Sequence, residues 1–117
     1  MSVIPMWING KAVQSKSGRF GDVFDPALGE ATKQVGFANQ DEINATVAAA
    51  KAAFPDWRDL STARRQAIMF RFRELLEAKK PELAAIITAE HGKVLSDALG
   101  EITRGQEVVE FACGLPN

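Results

Sequence analysis

Up to Phe37, short apolar segments are separated by turn-forming residues; beyond it, apolar positions recur every three or four residues. The first pattern is that of strands and the second that of helices. Trp7-Ile8 and Lys11-Ala12-Val13 flank Asn9-Gly10, a strong hairpin signal, because both central turn residues need positive φ. Ser15 to Gly21 reads as a polar loop. Val23-Phe24 is a second extended segment, ended by Asp25-Pro26-Ala27-Leu28-Gly29, where proline presets φ and glycine supplies the turn. Ala31, Lys33, Val35 and Phe37 then alternate with Thr32, Gln34 and Gly36. Residues 6–37 are expected to form short antiparallel strands, too poor in large apolar side chains to stand alone.

Asn39 with Glu42 three positions on forms a variant capping box ahead of a first helix carrying Ile43, Val47, Ala50 and Phe54, which Pro55 should stop. Ser61 should cap a second helix with a stripe of Ile68, Phe72, Leu75, Leu76 and the stem of Lys79. Pro81 fits the first turn of a short third helix carrying Leu83, Ile86 and Ile87, ended by Gly92. A fourth, about Leu95 to Phe111, repeats Leu95, Ala98, Leu99, Ile102, Val109 and Ala112. The expected fold is α+β: a strand-rich arm over 1–38 and four α-helices over 39–117.

With 117 residues the chain is one ordinary domain at most, and a doubly wound dinucleotide-binding sheet with a separate substrate domain does not fit. Fourteen Lys plus Arg against fifteen Asp plus Glu leave a net charge of −1, with no footprint for nucleic acid or an anionic membrane. Arg64, Arg65, Arg71 and Arg73 are interrupted by apolar residues and read as a solvated helix face. No apolar run approaches the ~20 residues that span a bilayer. The start lacks a basic signal-peptide region, and the single cysteine cannot form an internal disulfide, so a cytoplasmic location is expected.

Tests for chemistry return little. His91 and Cys113 could in principle make an activated thiol, but a continuous fourth helix would hold them about 30 Å apart at ~1.5 Å per residue. Cys113 reads as a small buried hydrophobe, and His91 as a last-turn residue beside the cap glycine. Gly100 to Gly105 has the outer spacing of a phosphate loop, but Gln106 replaces the required lysine and the segment lies within a helix. One His and one distant Cys cannot build a zinc site. No catalytic, cofactor-binding or metal-binding residue is assigned. Gly100 and Gly105 are costly in a helix interior and suggest close approach by another backbone or a ligand. Arg104 shares the face of Gly100 and could clamp a carboxylate; equally, Glu101 and Glu107 could pair with it in a surface row.

Trp7-Ile8-Asn9-Gly10-Lys11, Val23-Phe24-Asp25-Pro26-Ala27-Leu28-Gly29-Glu30 and Val47-Ala48-Ala49-Ala50-Lys51-Ala52-Ala53-Phe54 with Trp57 resemble, in order, the opening of the aldehyde dehydrogenase superfamily. Glu90-His91-Gly92-Lys93, Asp97-Ala98 and Glu101 continue the likeness. The run from Ala98 to Pro116 is most similar to the acylating methylmalonate-semialdehyde dehydrogenase branch.

The resemblance implies the N-terminal part of a longer enzyme that uses NAD, a cysteine thiolate and coenzyme A, with those groups and the catalytic cysteine outside these 117 residues. It implies that Arg104 holds the substrate's carboxylate and that Cys113 is not the nucleophile. The chain is then expected to be a truncated fragment, ending at Asn117 where a longer enzyme would continue, inactive and cofactor-free alone. Its partners would be the remainder of the enzyme or further copies of itself. The competing expectation is an independent small helical module that binds a partner protein without catalysis.

Overall fold

A computed structural model describes residues 1–116. The chain forms two compact units, the first ending at Asp59 and the second starting at Leu60. The division falls after the first helix rather than before it.

The first unit holds β1 (Ser2–Ile4), β2 (Met6–Ile8), β3 (Lys11–Val13), β4 (Phe20–Asp25), β5 (Glu30–Gly36) and α1 (Gln40–Asp59). β2 and β3 make the expected hairpin, with Met6 opposite Val13, Trp7 opposite Ala12 and Ile8 opposite Lys11. Asn9 at φ 51° and Gly10 at φ 75° supply the two left-handed residues that match the twist of the flanking strands. β4 pairs antiparallel with β5, and Asp25 organises their turn by accepting from the amides of Ala27, Leu28 and Gly29. Not every strand is antiparallel. β1, unforeseen in the sequence, lies parallel to β5 and gives the sheet order β1-β5-β4. Three residues are too few to show a period, and their partners at 33–35 are some thirty positions away.

The end of β5 is tied to the start of α1. Asn39 Oδ1 accepts from the Glu42 amide at 2.8 Å, and Glu42 Oε2 accepts from the Asn39 amide at 2.9 Å, completing the capping box. The same carboxylate accepts from the Lys16 amide and the Ser15 hydroxyl. The Ser15 and Ser17 hydroxyls also reach the Phe37 carbonyl. These bonds hold the Glu42 carboxyl below its ordinary pKa, the Lys16 amide contributing most. The expected loop is therefore shorter, with Phe20 and Gly21 already paired in β4, and residues 15–19 are fastened mainly by side chains.

The second unit contains α2 (Thr62–His91) and α3 (Leu95–Gly114), so the structure has three helices and not four. Pro81 lies inside α2 and Pro55 inside α1. Proline's fixed φ is already helical, and each costs one main-chain hydrogen bond plus a local clash. Around Pro81 the loss is offset by packing against α3. Gln66 Nε2 donates to the Cys113 carbonyl, Arg73 pairs with Glu110 at 3.0 Å, and Gln106 Nε2 donates to Glu77 Oε2 at 2.6 Å. As one number rises the other falls: the helices are antiparallel. Further along, Ala84 and Ala98 are fully buried, so α3 braces α2 on both sides of the proline. Ser61 caps α2 by accepting from the Arg64 amide, and Gly92 ends it at φ 87°.

The inward face of α2 keeps only part of the expected stripes: Leu76, Leu83 and Ile87 are shielded, whereas Lys79 and Ile86 are exposed. Gln66, Met69, Arg73, Leu76, Lys80, Leu83 and Ile87, spaced alternately by three and four, run along its shielded face with Arg65, Ala84 and Thr88 beside them, whereas Ile68, Phe72 and Leu75 stay about half exposed. Several seam residues are polar, which hid the seam from a search for apolar periodicity. Among the described residues, the buried positions with side chains are only Ala84, Ala98, Gln106 and Cys113.

Candidate functional site

Beyond Gly92 the chain reverses through residues 92–94 and enters α3 with Asp97 in its first turn, where the partial positive charge of the helix N-terminus favours an anion. This reversal brings Lys93 over the opening turns of α3. Lys93, Ser96, Asp97, Gly100, Glu101 and Arg104 line a cleft of about 230 Å³. Ser96, Gly100 and Arg104 follow one another at single-turn spacing, so one helix face forms its floor.

Glu101 does not pair with Arg104. Its carboxylate accepts from Lys93 Nζ, a contact between the interhelical turn and α3. That bond is the largest cause of the lowered Glu101 pKa, with smaller contributions from the charges of Lys93, His91 and Arg104. Among the described residues Arg104 forms no ion pair, so the expected surface row with Glu101 and Glu107 is not made. Its guanidinium is exposed, with Asp97 two turns away, about 10 Å along the axis. The cleft thus holds one internally matched pair and one exposed fork suited to two carboxylate oxygens. Lys93, Ser96 and Asp97 were not singled out as cleft residues from the sequence. The signal available was Gly92, whose left-handed stop places the next residues against the following helix.

A β-carbon on Gly100 or Gly105 would meet nothing within 4 Å. Among the described residues, the close approach expected at these glycines is therefore not made. The Gly100 to Gly105 spacing lies in the interior of α3, away from any strand-to-helix turn, so these residues do not fit a dinucleotide's phosphates. Cys113 is 3% exposed near the end of α3, while His91 ends α2 on the far side of the interhelical turn. Among the described residues no three His, Cys, Asp or Glu side chains converge as a metal site, and no helix is long and apolar enough to cross a membrane.

The α+β segment thus has a thin core and carries a small polar cleft on one helix. Residues 12–117 match the aldehyde dehydrogenase family, and the chain belongs to it. It is similar to the malonate-semialdehyde dehydrogenase of Pseudomonas aeruginosa, 42% identical over 116 residues that make up 99% of this chain and 23% of that protein. The acylating mitochondrial methylmalonate-semialdehyde dehydrogenase of Arabidopsis thaliana is 45% identical over 112 residues, 96% of this chain and 18% of that one.

Among solved structures, the methylmalonate-semialdehyde dehydrogenase of Oceanimonas doudoroffii superposes with a TM-score of 0.95 at 44% identity, covering 99% of this chain and 24% of that chain. A Sinorhizobium meliloti relative described by the same enzyme name, crystallised with NAD, gives a TM-score of 0.96 at 40% identity, with 99% and 24% covered. The chain spans between 18% and 24% of the length of these relatives.

Proposed function

We propose that this chain acts as the N-terminal segment of an NAD-dependent, coenzyme A-acylating dehydrogenase of malonate or methylmalonate semialdehyde in the cytoplasm, and that Arg104 binds the substrate's carboxylate there. The observation that carries the reading is the unpaired Arg104 guanidinium, one turn beyond the open space at Gly100, in a chain whose relatives are named for carboxylate-bearing aldehydes. A cleft of about 230 Å³ suits a small carboxylic acid and is below the volume typical of sites for drug-sized ligands. The thiolate and nucleotide chemistry would come from residues outside this chain, and no step of it is assigned to these side chains.

The segment is expected to be inert by itself. Incubated with NAD, coenzyme A and malonate semialdehyde, the purified chain should give no absorbance of reduced nicotinamide at any protein concentration. Joined to the matching remainder of the Pseudomonas aeruginosa relative, it should support turnover. Activity of the isolated chain, or a folded but inactive joined protein, would contradict the reading.

A further inference from the structure

We propose that the Asn9-Gly10 turn is a site of spontaneous covalent modification, at which Asn9 closes on the Gly10 backbone nitrogen and reopens as isoaspartate. Of the four asparagines, Asn9 alone precedes glycine. Both turn residues are exposed, and the missing side chain at Gly10 leaves its nitrogen open to close approach. The other described asparagines are engaged: Asn39 Oδ1 accepts from the Glu42 amide, and Asn44 Oδ1, within α1, accepts from Gln40.

The chemistry needs only water. The Gly10 nitrogen bonds to Asn9 Cγ, the bond from Cγ to the side-chain Nδ2 breaks, and Nδ2 leaves as ammonia, taking up the proton shed by the Gly10 nitrogen. The resulting five-membered imide adds water. Cleavage on the main-chain carbonyl side gives isoaspartate, and cleavage on the Cγ side gives aspartate. The attack requires Asn9 to leave its left-handed conformation, so it proceeds when the hairpin opens. Three paired positions in a separate two-stranded sheet make that opening easy.

Isoaspartate adds one methylene to the main chain of a two-residue turn. The pairing of Met6 with Val13, Trp7 with Ala12 and Ile8 with Lys11 then no longer closes at the same register, and the turn gains a negative charge.

The test is to age the full chain in mildly alkaline buffer, folded and in parallel unfolded in urea, and to map peptides by mass spectrometry with fragmentation that distinguishes isoaspartate. The expected result is a one-dalton gain at Asn9 in the folded chain, with isoaspartate as a product, while Asn39 and Asn44 remain unchanged. Gly10→Ala should slow conversion by at least ~10-fold in urea as well, where folding plays no part. The proposal is overturned if Asn9 stays intact in the folded chain while the unfolded chain converts. Equal conversion at all three asparagines, or no slowing in Gly10→Ala, overturns it too.

Discussion

Glu42 shows how one side chain can do more than its local motif requires. As a capping-box residue it needs only the Asn39 amide, yet it also accepts from Ser15 and Lys16, bonds that no helix-start pattern announces because they span more than twenty residues. Folding lowers its pKa, so the unfolded chain binds the proton more readily. The resulting stability is complete above its ordinary value of 4.5 and is lost as pH falls through the lower folded value. Glu42→Gln should therefore lower the urea midpoint at about pH 7, and that difference should shrink progressively as pH falls below 4.5. An unchanged difference would show that Glu42 acts through packing. Gly100 and Gly105 are the converse, with costly backbone and, among the described residues, nothing against them. Gly100→Ala and Gly105→Ala should each stabilise the isolated chain by about 0.5–1 kcal/mol in urea titrations. A loss of stability would mean that the space is filled. Arg104 was legible as a candidate by its spacing from Gly100, but its freedom was not, because Lys93, eight positions before Glu101, takes that carboxylate.

Local chemistry was the readable part of the elements. The Asn9-Gly10 hairpin, the Asp25 turn, the Ser61 cap and the Gly92 stop each rest on residues close in sequence, and each is formed as expected. What stayed hidden was non-local. β1 depends on a parallel partner far along the chain, and the α2 seam carries Gln66, Arg73 and Lys80. Pro81 was read as a helix start because the φ suited to that position is also helical; only the packing of α3 on both sides keeps α2 continuous. Pro81→Ala should restore the amide that can reach the Glu77 carbonyl and stabilise the second unit by about 1–2 kcal/mol, after allowing for the more flexible unfolded chain. Thermal unfolding followed by circular dichroism would check this, and no gain would mean that α2 is broken at the proline.

For the whole molecule, apolar surface is the decisive quantity. The α1 stripe expected from the sequence is present, yet Ile43, Val47 and Phe54 are 46, 62 and 56% exposed, and Val108 and Phe111 on α3 are 69 and 74% exposed. A finished interaction module would cover most of such surface, whereas a segment of a larger enzyme leaves it for the missing parts. Light scattering should accordingly give a mass above that of one chain, rising with concentration; a monodisperse single chain would favour the module. The central claim is that this segment anchors a substrate carboxylate, and it is tested most directly in the joined enzyme carrying Arg104→Ala. Losing a charged, two-pronged hydrogen bond should reduce kcat/KM for malonate semialdehyde by about 10- to 100-fold while leaving propanal oxidation nearly unchanged. Equal losses on the two aldehydes, or none on either, would contradict it.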